Sequence, residues 1–74
     1  MGDSQICVDK AKLRRRRILA GLDQAHLAKR AGRSQSHISL LERGKRGTTV
    51  RTLRELAQAL HCEIADLLPD EEAA

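Results

Sequence analysis

Between Lys29 and Arg46 the chain gathers residues suited to gripping a polyanion and reading what it carries. Six of them are cations: Lys29, Arg30, Arg33, Arg43, Lys45 and Arg46. Each can neutralise a phosphate, and an arginine can do so through two parallel hydrogen bonds. Gln35 stands among them with Ser36 beside it. A carboxamide donates and accepts at once, which matches the N6 and N7 atoms on the edge of adenine. A serine hydroxyl reaches bases or phosphate with little selectivity. Catalytic chemistry finds no comparable set: His26 and His37 have no acid or nucleophile arranged beside them for proton transfer. His61 and Cys62 are adjacent, but a zinc site needs two further ligands. The chain therefore reads as a binding protein with no metal and no cofactor, and not as an enzyme.

Side chains that read an edge need a rigid support, and the stretch Asp23 to Arg43, DQAHLAKRAGRSQSHISLLER, is built to supply one. It splits at Gly32 into two short amphipathic segments. Leu27, Ala28 and Ala31 share a helical face in the first, and Ile38 and Leu41 do so in the second. Asp23 and Ser34 precede the two segments, where a short side-chain oxygen can accept from an orphaned backbone N–H. Gly32 can take the positive φ that ends one helix and turns the chain. So short a turn suits two helices crossing steeply, a helix-turn-helix whose second member can enter the DNA major groove. Gln35 and Ser36 then lead that second helix. Arg33, nearest to it, is the expected phosphate contact of the turn.

The flanking sequence supplies three more helices. A first is expected over about Asp9 to Ala20, where Leu13, Arg17 and Ala20 share one face. Arg17 interrupts that apolar stripe and needs a partner if buried. Val50, Leu53, Leu56, Ala57 and Leu60 form the stripe of a fourth helix capped by Thr49. His61 must close it, since histidine tolerates the left-handed region better than most residues. Ile64 to Leu68 reads as a short fifth helix stopped by Pro69. The expected organisation is a flexible N-terminal end over 1–8, an all-α DNA-binding domain over 9–68, and an acidic tail over 69–74.

Seventy-four residues without Phe, Tyr or Trp leave room for one aliphatic core and no aromatic platform for single-stranded bases. Charge is sharply divided. Residues 1–54 hold all 14 Lys and Arg against four acids, a net of +10, while residues 55–74 hold six acids and no base. Such a separation is the footprint of a polyanion partner, with the acidic end facing away. A membrane surface would call for aromatic anchors beside the charge, and none exists. No run reaches membrane-spanning length, no signal peptide is evident, and the chain is expected in the cytoplasm. Cys7 and Cys62 are then two reduced thiols, with a disulfide between them the alternative.

From Leu13 to Leu68 the residues resemble the Cro/C1-type (XRE-like) helix-turn-helix family of phage repressors and bacterial regulators. The resemblance is carried by Leu22-Asp23-Gln24, Leu27-Ala28, Ala31-Gly32, Ser34-Gln35-Ser36, Ile38 and Leu41-Glu42-Arg43-Gly44-Lys45. It implies a five-helix, lambda-repressor-like domain that binds double-stranded DNA, usually as a homodimer on a palindromic operator. Gln24 matches a position that holds a phosphate, and Arg43, Lys45 and Arg46 match positions that grip the backbone. Gln35 and Ser36 match residues facing base edges, and Arg17 and Glu42 match an ion pair joining helices one and three. Leu40 stands where relatives commonly carry Arg, Lys or Gln; it could press on a thymine methyl or simply be exposed. His26 replaces a frequent acid, and Thr48 a common proline, which implies a looser loop before helix four. Leu67, Leu68 and the end of helix four are the expected dimer contact, with both leucines closing the core as the alternative. The resemblance points to a repressor; an antitoxin or a restriction–modification controller protein is the alternative.

Overall fold

Each helix begins at a residue whose side chain satisfies the backbone it exposes. In the computed structural model, which describes residues 5–70, Asp9 accepts from the amides of Ala11 and Lys12 and opens α1 (Lys10–Leu19). Asp23 accepts from His26 N (2.7 Å) and opens α2 (Gln24–Ala31). Ser34 accepts from His37 N (3.1 Å) to start α3 (Gln35–Glu42), and Thr49 from Thr52 N (3.2 Å) to start α4 (Val50–Ala59). Such caps satisfy donors that a helix start leaves unpaired. The four helices share one closing device, seen at the ends of α2 and α4. Gly32 takes φ +69° and lets Arg33 N–H donate back to Ala28 (2.8 Å). His61 takes φ +55° and lets Cys62 N–H donate back to Ala57 (3.0 Å).

The apolar stripes converge on seven fully buried side chains, Leu13, Leu27, Ile38, Leu41, Leu53, Leu56 and Leu67. α2 packs against α3 and α4, and α1 lies against α3 and the C-terminal turn. Burying one such side chain is worth about 1.5–3 kcal/mol, and Ile38 and Leu41 are the two by which α3 joins this set. Among the described residues no helix is long and apolar enough to cross a membrane.

Three features differ from the reading of the sequence, and one that it left open is narrowed. The fifth helix is a single 3₁₀ turn, Ile64–Leu67, which ends one residue early because Leu68, preceding Pro69, is held extended. Leu67 is wholly buried and Leu68 half-buried against the core, as in the alternative that has both leucines close it. Residues 5–8, part of the expected flexible end, include contacts to the rest of the fold. Ile6 and Thr48 exchange antiparallel bonds (2.6 and 2.9 Å), Asp9 N–H donates to Leu67 (2.9 Å), and Ile6 and Val8 pack on the core. That strap also pins the loop before α4, where Thr48 is only 2% exposed and no proline is needed. Gly47 permits it: an ideal Cβ there would lie 2.8 Å from the Ile6 carbonyl oxygen.

The remaining parts of the expected ends, residues 1–4 and 71–74, lie outside the described residues. Within the tail, Asp70 pairs with Lys12, which also donates to the Leu68 carbonyl (2.9 Å) and holds the Asp70 carboxyl below its usual range. Both cysteines are free thiols, Cys7 exposed and Cys62 half-buried, where burial pushes its thiol pKa up.

His26 does not break the cap of α2 but joins it. Asp23 accepts from the His26 amide and lies 2.8 Å from its Nδ1, and these bonds hold the Asp23 carboxyl below its ordinary 3.8. A carboxylate with a depressed folded pKa stabilises fully above its unfolded pKa and loses that effect as pH falls through the folded value. Thermal melts from neutral pH down through the region below 3.8 should therefore show wild type losing stability faster than Asp23→Asn, which caps without titrating. Parallel curves for the two proteins would contradict this role.

Candidate nucleic-acid interface

Residues 35, 36, 39, 40 and 43 recur along one face of α3 and its end, the spacing at which helical side chains align. Gln35 and Ser36 are exposed, Ser39 and Leu40 half-buried, and Arg43 is exposed at the C-cap. With Gln24 from the start of α2 they line a shallow groove of about 360 Å³. The Ser34 cap orients the first turn of α3, so the two leading residues project outward where nothing in the fold covers them. Ser39 had no place in the sequence reading. Its spacing of four from Gln35 is the signal that would have found it.

Behind this face one carboxylate holds three helices. Arg17 donates to Glu42 through Nε (2.6 Å) and Nη2 (3.0 Å), and its Nη1 donates to the Leu22 carbonyl (2.9 Å). Gln24 Nε2 donates to the same Glu42 (3.2 Å). Side-chain exposure is 13% for Arg17 and 5% for Glu42, and the Glu42 hydrogen bond raises the Arg17 pKa against the opposing effect of burial. α1, α2 and α3 are thus fixed relative to one another next to the groove. Gln24 is thereby tethered at its rim.

Arg33 is placed differently from its expected role. Its Nε and Nη2 donate to Thr52 Oγ1 (3.2 and 3.0 Å), its Nη1 donates to the Gly32 carbonyl (2.9 Å), and it pairs with Glu55. The turn aims it at α4, where its guanidinium ties the turn to Thr52 and Glu55. Thr52 and Glu55, three apart on α4, are what it found. Lys45 and Arg46 are exposed on the loop after α3, and Lys29 and Arg30 are exposed on α2 outside the groove. His37 is half-buried; burial, then Arg46 and Arg33, push its pKa down.

The model of one known family, described as Helix-turn-helix, matches residues 13–67. The chain belongs to this helix-turn-helix family. As a helix-turn-helix protein it is a DNA-binding transcription regulator. It is 48% identical over 63 residues to the "Uncharacterized HTH-type transcriptional regulator y4dJ" of Sinorhizobium fredii (strain NBRC 101917 / NGR234), covering 84% of this chain and 78% of that one. Its fold is similar to the restriction-modification controller protein C.AhdI from Aeromonas hydrophila, with TM-score 0.77, 34% identity, and 80% and 89% of the two chains covered. It is similar also to the P22 c2 repressor, solved in complex with a synthetic operator, with TM-score 0.76, 32% identity, and 88% and 96% covered.

Proposed function

We propose that this regulator is a cytoplasmic operator-binding protein that acts as a dimer, each copy inserting the start of α3 into the major groove. The observation that carries the reading is the groove in which Gln24, Gln35, Ser36, Ser39, Leu40 and Arg43 meet. In it Gln35 reads an adenine through both polar ends of its amide, with Ser36 and Leu40 contacting neighbouring bases. Gln24, Arg43, Lys45 and Arg46 hold phosphates and set the depth of insertion. A single α3 sees only a few base pairs. Two copies with their α3 helices about 34 Å apart, one duplex turn, give the reach that a palindromic operator needs.

Repression is the output that the similarity to the P22 c2 repressor favours. The similarity to C.AhdI, over 89% of that chain, favours a second reading as a controller of a restriction–modification system. Both use the same face of α3.

The test begins with selection of bound duplexes from a random pool. Gln35→Ala is then measured against operators carrying each of the four base pairs at the position it reads. The expected loss is about 1–3 kcal/mol per contacted pair, confined to the cognate base. Gln24→Ala should weaken cognate and altered operators by similar factors, because phosphate contacts position without specifying. If Gln35→Ala keeps the wild-type ranking of operators and loses only overall affinity, base reading belongs to Ser36 or Leu40. A footprint protecting one half-site, with one protein per duplex at saturation, would refute the dimer.

A further inference from the structure

α1 presents two flanks of opposite character. On one, Lys12 pairs with Asp70 and Arg16 with Asp66, so the acidic C-terminal part of the chain neutralises it. On the other, Lys10, Arg14 and Arg15 are exposed, and among the described residues none of them stands in an ion pair. Ile18 and Leu19 continue this flank at 55% and 68% exposure, the two most exposed of the large hydrophobic side chains. Together they border an open hollow of about 660 Å³. The one acid on its wall, Glu42, is already committed to Arg17 and Gln24.

We propose that this flank of α1 is a docking surface for an acidic, apolar-faced segment of another protein. Adjacent apolar anchors framed by cations that stand in no ion pair among the described residues fit a partner whose leucine-type residues fill the hollow while its carboxylates meet Lys10, Arg14 and Arg15. A second copy of this chain fits poorly. Two-fold pairing would set three cations against three, and Asp66 and Asp70, which could relieve them, are engaged at home. Duplex DNA would satisfy the cations but leave Ile18 and Leu19 in water. The hollow and the reading groove have no lining residue in common, so a partner and an operator can be held together.

The probe is a synthetic 18-residue helix-forming peptide with leucines on one face and glutamates elsewhere, beside a scrambled version and a 16-base-pair duplex of random sequence. Each is titrated into the isotope-labelled full chain and followed by amide chemical shifts. The patterned peptide should move amides of residues 10–19 and bind at least tenfold more tightly than the scrambled one. The Ile18→Gln, Leu19→Gln double variant, whose melting should match wild type because both side chains are exposed, should lose that preference. Equal binding of both peptides, or of wild type and variant, would overturn the proposal. So would a response of this flank to the duplex alone, which would make it a DNA surface. Concentration-dependent dimerisation abolished by the same double variant would assign the flank to a second copy instead.

Discussion

Raising salt from about 50 to 200 mM should weaken operator binding by about a thousandfold, the steepest response expected of this protein. Arg43, Lys45 and Arg46 are exposed around the end of α3, and a dimer brings them to the duplex twice. About six neutralised phosphates give a slope of log K against log salt near −5, and a fourfold change in salt then multiplies to that loss. Lys45→Ala should weaken every sequence alike and make the slope shallower by about 2 in the dimer, one unit for each copy. Arg33→Ala separates a structural cation from a contacting one. Because its guanidinium is bound to Thr52 and Glu55, its loss should lower melting temperature and leave the slope unchanged. A wild-type slope indistinguishable from zero would exclude duplex DNA as the partner, and a shallower slope in Arg33→Ala would return Arg33 to the phosphate-binding set.

Glu42→Ala should be the most damaging single change to the fold outside the aliphatic core. Removing this carboxylate strands a guanidinium that is only 13% exposed and also releases Gln24. Stranding one member of a buried pair costs about 3–5 kcal/mol, and the solvent at the Arg17 edge places the expected cost near 3. For a domain of this size that lowers the melting temperature by more than about 10 °C. Arg17→Ala should cost less, because Glu42 keeps Gln24 as a donor. The double variant should recover part of the loss, as a cycle on a coupled pair does. Glu42→Ala melting within about 2 °C of wild type would show that burial of Leu13, Leu41 and their neighbours holds α1 on α3 unaided.

Local rules were enough for much of this protein. Helical spacing of Leu27, Ala28 and Ala31, then of Ile38 and Leu41, with Asp23, Ser34 and Thr49 as caps, marked the helices and the turn at Gly32, and the structure has them in those places. Those features act within one or two turns of chain, so the sequence by itself determined them. It also determined the family and the charge division that points to DNA. The destinations of long side chains were another matter. Arg33 and Arg43 are chemically alike, yet one faces α4 and the other lines the groove. Which way each points depends on where Thr52 and Glu55 arrive once α4 has packed on α2. The strap of Ile6 on Thr48, 42 residues apart in the chain, was likewise invisible, because a single bridged pair has no period to detect. How deeply Leu67 and Leu68 enter the core was open until the space beneath the 3₁₀ turn was known. A side chain that reaches across elements takes its role from whichever partner the packing brings within a few ångströms, and only the tertiary structure decides that.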